Sequence, residues 1–77
     1  MTAYYKVTYF PNVTAMLEVV LSDGHHEHVA NMDLPQALEY ITLVYKERGI
    51  PFERKDTNEG GLLVVTTPPI DITTANH

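Results

Sequence analysis

The chain has 77 residues, with ten acidic side chains, five basic ones and no cysteine, so its formal net charge is −5. This length allows one domain, with 44% hydrophobic and 19% charged residues as in globular rather than disordered chains. The absence of cysteine excludes disulfides, thiolate metal sites and cysteine nucleophiles.

The beginning of the chain does not have the pattern of a secretory signal peptide. The first six residues lack the basic and apolar regions of a secretory signal peptide. No apolar run reaches the roughly 18 residues that a membrane helix needs. We therefore expect a cytoplasmic protein that does not enter membranes, in either the producing cell or a host cell.

Three strands are predicted in the first 30 residues. Residues 3–10 and 14–22 alternate between apolar and polar types in the manner of half-buried strands, and a Pro-Asn pair separates them. The pair Asp23 and Gly24 is typical of a two-residue type I′ hairpin turn, which requires positive φ at both positions. That turn leads into a third strand at residues 25–30, so the three strands form an antiparallel meander.

A helix follows, and the sequence marks both of its ends. Asp33 is placed to cap the first turn, which also contains Pro35. Gly49 suits the left-handed position that ends a helix, and Pro51 prevents continuation. The apolar residues between these signals recur every three or four positions and form one stripe: Leu34, Ala37, Leu38, Ile41, Val44 and Tyr45.

Two more strands are predicted after the helix. Residues 52–56 form the fourth strand, residues 57–61 a glycine-containing loop, and residues 62–67 a fifth strand that is apolar on both sides. The predicted fold is α+β, with a mainly antiparallel sheet of order βββαββ along the chain and one amphipathic helix on one face. Residues 1–67 form the single domain, and residues 68–77 form a flexible tail.

The histidine cluster at residues 25–28 is the clearest candidate for a metal site. On a strand, His26 and His28 share one face and could chelate zinc or nickel, with Asp23 or His77 as an added ligand. Two alternatives stay open. The cluster could be a polar edge that discourages pairing with other chains, or a surface that charges below neutral pH.

The sequence has more apolar residues than one helix can cover. The helix covers one face of the sheet, so apolar residues at alternate strand positions point the other way. We expect this face to bind a protein through Tyr4, Phe10, Met16 and Val20. A second copy of the chain is one such partner, so we predict a homodimer. A strongly twisted sheet, or coverage by the tail, would account for the surplus without an interface.

The charge is unevenly distributed. Residues 7–45 contain five carboxylates and no Lys or Arg, so this stretch would repel nucleic acid and attract a basic protein surface. Glu18, Asp23 and Glu27 flank the predicted hairpin turn. We therefore predict that they bind the partner together with the apolar face.

These observations favour a non-enzymatic protein-binding module, an inhibitor or regulator that occupies a basic surface of its partner. No catalytic residues and no cofactor are predicted, because no nucleophile and base occur in a recognisable motif. A metal- or small-ligand-binding protein that uses His26 and His28 is the alternative. Small acidic proteins of this format include bacteriophage inhibitors, an analogy that rests on no matched residues.

Overall fold

The computed structural model describes residues 2–71, which form an antiparallel sheet with one helix packed across it. The predicted α+β fold and its βββαββ order are confirmed, with one short strand added at the end. The elements are β1 (Thr2–Phe10), β2 (Thr14–Leu21), β3 (His26–Met32), α1 (Leu34–Glu47), β4 (Lys55–Glu59), β5 (Leu62–Thr66) and β6 (Ile70–Asp71).

β1 is the central strand. Across the sheet, the strand order is β3-β2-β1-β5-β4, with β6 also paired to β1. β1 is long enough to hold two partners on one side: β5 pairs with its residues 6–9, and β6 pairs with its residues 2–3. The described part of the sheet therefore has two long edges, β3 and β4.

The structure places the first residues of the predicted tail inside the domain. Two prolines end β5, and the chain then returns to β1, where Ile70 lies opposite Ala3. Ile70 is only 3% exposed and belongs to the core. Residues 72–77, the rest of the predicted tail, lie outside the described residues.

Both ends of α1 are formed as the sequence predicts. The Asp33 carboxylate accepts a hydrogen bond from the backbone N–H of Gln36 at 2.8 Å, which caps the first turn. Gly49 has a φ of +69°. The backbone N–H of Ile50 then donates to the carbonyl of Tyr45 at 3.0 Å, as in a Schellman motif. The whole predicted apolar stripe faces the core.

The turn between β2 and β3 is not the predicted type I′ turn. The N–H of Leu21 donates to the carbonyl of His25 at 2.8 Å, which leaves a loop of three residues, 22–24. Gly24 has a φ of +90°, whereas Asp23 is not among the residues with positive φ. This arrangement is typical of a three-residue hairpin loop, in which only the last residue needs a left-handed backbone.

The type I′ geometry occurs between β4 and β5 instead. Gly60 and Gly61 have φ values of +60° and +85°, and they connect Glu59 directly to Leu62. The predicted fourth strand is present, but its predicted bounds (residues 52–56) and those of the following loop (residues 57–61) are wrong. The tight turn fixes the register of β4 against β5, and the ladder ends at the pair of Lys55 with Thr66, the last residue of β5.

Buried hydrogen bonds join the helix to Thr67 and Pro68, the residues between β5 and β6. The backbone N–H of Tyr5 donates to Oγ1 of Thr67 at 2.9 Å, where the pairing of β1 with β5 ends. The hydroxyl of Tyr45 lies 2.7 Å from the same oxygen and donates to the carbonyl of Pro68. Tyr45 is fully buried, and this burial raises the pKa of its hydroxyl.

Candidate partner-binding surface

We call the side of the sheet away from α1 the open face. The alternation of side chains along β1 and β2 places Tyr4, Phe10, Met16 and Val20 there, the four apolar residues predicted to bind a partner. Tyr4 and Val20 are directly opposite each other in the ladder between the two strands. No described element packs over these residues.

Much of the apolar surface on the open face is nevertheless buried by neighbouring side chains of the same face. None of the four predicted residues is among the exposed large hydrophobic side chains, and Val20 is only 5% exposed. Lys6 on β1 reaches across β5 to Glu59 on β4, with Nζ and Oε1 3.5 Å apart. Val64 of β5 lies on the same face and is 1% exposed. The apolar surplus is therefore smaller than the sequence indicates.

The three predicted carboxylates do not lie on one face. Glu18 lies on the open face, where its side chain is 16% exposed and its Oε2 is 3.7 Å from Nδ1 of His26. Glu27 is opposite Val19 and points to the helix side of the sheet. Asp23 lies in the turn. Together they surround the end of β3 on both faces and at its tip.

His26 and His28 share the open face, as predicted for neighbouring positions on a strand. Nε2 of His28 lies 2.9 Å from Oδ1 of Asn31. Within residues 2–71, no three His, Asp or Glu side chains converge in a way that could hold a metal ion. His77, a proposed extra ligand, lies outside the described residues.

The whole net charge of the chain is carried by residues 7–45. This stretch has five carboxylates and no Lys or Arg, whereas the remaining residues contain five carboxylates and five Lys or Arg, which cancel. In the fold, residues 7–45 form the last four residues of β1, all of β2 and β3, and most of α1. The sheet therefore has an acidic side, which ends at β3, and an electrically balanced side, which ends at β4.

The two edges of the sheet differ in the same way. We call β3 with the turn at residues 22–25 the acidic edge, and β4 with Arg54 the balanced edge. Arg54 forms a bidentate ion pair with Asp56, at 2.6 and 3.0 Å. That pair lowers the pKa of the Asp56 carboxyl and raises the pKa of the guanidinium. β3 contains neither Lys nor Pro, and residues 26–29 are exposed.

β3 is an edge strand, the position that the sequence raised for the histidine cluster only as an alternative to a metal site. The strand order depends on the pairing of β1 with β5, which joins residues almost 60 positions apart, and no local signal reports such a pairing. The bulge in β3 was not predicted. The register against β2 shifts between Leu17 and Glu18, so Val29 is an extra residue in the edge strand.

Two open clefts border Tyr4. The larger, of about 450 Å³, lies between Tyr4, Lys55 and Pro68, and the smaller, of about 330 Å³, lies on the side of Val20. Arg54 also lines the larger cleft, but its guanidinium is engaged by Asp56. No described nucleophile and base are hydrogen-bonded to each other in either cleft.

Comparisons with protein-family models, with curated proteins and with solved structures found no match. No helix among residues 2–71 is long and apolar enough to cross a membrane.

Proposed function

We propose that the protein is a non-enzymatic binding module, an inhibitor or regulator that occupies a basic surface of a partner protein. The observation that carries this proposal is the segregation of charge. Glu18, Asp23 and Glu27 lie on β2, β3 and the turn between them, with no Lys or Arg beside them in these elements. Asp33 and Glu39 of the α1 region add two more carboxylates. The charges of the remaining residues cancel. A distribution required only for solubility has no need to be one-sided.

The acidic side has both charges that attract a basic partner and apolar residues that can be buried against it. A one-signed field attracts an oppositely charged surface and raises the rate of association, an effect that salt screens. Phe10, Met16 and Val20 lie on β1 and β2 within that same side, and they offer apolar area for contact. Charges of this kind set association rate and specificity more than affinity.

The proposal is tested with three forms of the protein as immobilised baits in a native lysate: wild type, Glu27→Lys and Glu53→Lys. Both substituted residues are exposed, and both substitutions change the net charge equally. Glu27 lies on the acidic edge, whereas Glu53 precedes the balanced edge. Glu18 is a poorer choice, because it is 16% exposed and lies opposite Lys6.

We expect wild type and Glu53→Lys to retain the same basic protein, and Glu27→Lys to lose most of it. Equal retention by all three baits would reduce the acidic side to a solvated surface and would contradict the proposal. The retained protein should also be released by salt, because the attraction is screened within about 8 Å at physiological ionic strength.

A homodimer through the open face is the competing use of the apolar residues. Two copies would bury Tyr4, Phe10, Met16 and Val20 against each other. However, each copy would also bring its acidic side toward the other, which opposes association at low salt. Sedimentation at tens of micromolar distinguishes the cases, because a dimer that weakens as salt is removed would favour self-association over a basic partner.

A further inference from the structure

We propose that the acidic edge binds its partner by strand addition: an extended segment with Lys or Arg at alternate positions pairs antiparallel with β3. This inference rests on the proposed function, since it specifies how the basic partner is held. It concerns the backbone of residues 26–28 rather than the side chains of the open face.

The first step is the direction of the backbone groups of β3. The N–H of Leu21 donates to the carbonyl of His25, which sets the alternation of the ladder that follows. Glu27 therefore directs its N–H and carbonyl toward β2. His26 and His28 direct theirs away from β2, where no described strand lies. This leaves two donors and two acceptors along the edge.

The second step is that the protection of the β3 edge does not exclude a basic strand. Natural sheets block edge strands with Lys, with Pro, with bulges or by covering them. β4 carries Lys55 and the ion pair of Asp56. β3 has no Lys or Pro. Its charged residue, Glu27, repels an acidic strand but attracts a basic one, and its bulge at Val29 lies beyond the free run of residues 26–28. The free run is therefore open to a basic strand.

The third step is the chemistry of the occupant. A strand added to β3 places its side chains alternately beside Glu27 on the helix side and beside His26 and His28 on the open face. Basic residues opposite Glu27 would gain an ion pair, with Asp23 close by in the turn. A second copy of β3 would instead bring two acidic edges together, so charge selects a basic segment.

The probe is an acetylated, amidated peptide with the sequence Thr-Lys-Val-Lys-Val-Lys-Thr, in which all lysines share one face. The same peptide with glutamates in place of lysines is the charge control. Two further versions carry N-methyl groups on the valine amides or on the lysine amides. Binding is measured from amide NMR shifts of the full chain.

The protein variants separate backbone pairing from side-chain contact. His28→Pro removes an outward N–H that the ladder with β2 does not use, and proline is tolerated on edge strands in that position. His28→Thr removes the same imidazole but keeps the N–H. His26→Pro tests the other outward donor, should His28→Pro fail to fold.

We expect the lysine peptide to bind wild type and His28→Thr with similar affinity, and the proline variants at least ten-fold more weakly. The glutamate peptide should not bind. In an antiparallel pairing that places lysine opposite Glu27, the valine amides face β3. Methylation of the valine amides should therefore abolish binding, while methylation of the lysine amides is tolerated.

Any other pattern with the methylated peptides would overturn the proposal. Equal binding to wild type and to a folded proline variant would also overturn it, while the bait experiment would still decide the proposed function separately. A dimer of the chain that His28→Pro abolishes, with no binding of the lysine peptide, would replace the basic segment by a second copy and would overturn the assignment.

Discussion

The two long edges of this sheet have opposite designs. The balanced edge pairs its own charges, through Arg54 with Asp56 and through Glu59 with Lys6. The acidic edge carries carboxylates without Lys or Arg, and its outward backbone groups face no described strand. The outward backbone groups of β4 also face no described strand, so the two edges differ in charge: the balanced edge neutralises its own charges, whereas the acidic edge retains carboxylates that can attract another molecule.

The largest expected effect is a loss of stability that removes both edges together, because both edges depend on the same core. Tyr45 is fully buried and ties α1 to Thr67 and Pro68. Tyr45→Ala should lower the free energy of unfolding by about 3–5 kcal/mol, as for other large aromatic truncations. Tyr45→Phe keeps the ring and should cost only about 1 kcal/mol.

Urea denaturation of both variants checks this prediction. Phe is the matched control, since it removes the hydroxyl alone. Equal losses of stability for Ala and Phe would mean that the hydrogen bonds to Thr67 and Pro68, and not the packing of the ring, hold the helix on the sheet.

The next-largest expected effect concerns the stability of the type I′ turn that joins β4 to β5. Gly60 has a left-handed φ of +60°, and a Cβ there would meet no atom within 4 Å. Gly60→Val should therefore destabilise the protein by about 1–2 kcal/mol through backbone strain alone. Gly60→Asn should be close to neutral, since Asn-Gly is favoured in type I′ turns.

Thermal unfolding followed by circular dichroism measures both changes. The two substitutions add a side chain at the same place, so similar losses for Val and Asn would show that the left-handed backbone is not the cause.

The sequence predicts those features of the fold that depend on residues close together in the chain, and it does not predict those that depend on more distant residues. Asp33 and Gly49 mark the ends of α1 through contacts within four or five residues, so both ends are predictable. The start of β4 is not predictable from its own residues. Phe52 is a residue type common in strands, yet its ring packs beside that of Tyr45, with 5.7 Å between the centroids. The register of β4 against β5 is set instead by the tight Gly60-Gly61 turn.

The same distinction applies to the candidate site. The alternation of apolar residues correctly places Phe10, Met16 and Val20 on the open face. It does not report the long side chains that cover this face, such as Lys6 reaching Glu59 across β5. The sequence also clusters Glu18 and Glu27 without showing that β-strand alternation and pairing put them on opposite faces.

The smallest expected effect concerns the ion pair of the balanced edge. Arg54 holds the pKa of the Asp56 carboxyl below its ordinary value of 3.8. Stability from a lowered carboxyl pKa is present above that ordinary value and is lost as the pH falls through the folded pKa. Because both side chains are exposed, the change in overall stability should be too small to measure.

NMR titration of the Asp56 carboxyl measures the pKa directly. Arg54→Met should return this pKa to its ordinary range, while Lys46→Met, which removes a cation from the last turn of α1, should leave it unchanged. A pKa that stays low in Arg54→Met would assign the shift to another group.

Hydrogen exchange of the full chain, free and bound to the basic protein recovered with the wild-type bait, tests the central claim most directly. The account predicts slower exchange of backbone amides at residues 22–28, above all at His26 and His28, and unchanged exchange along β4. Slower exchange along β4 with no change at residues 22–28 would contradict the claim that the acidic edge is where this protein meets its partner.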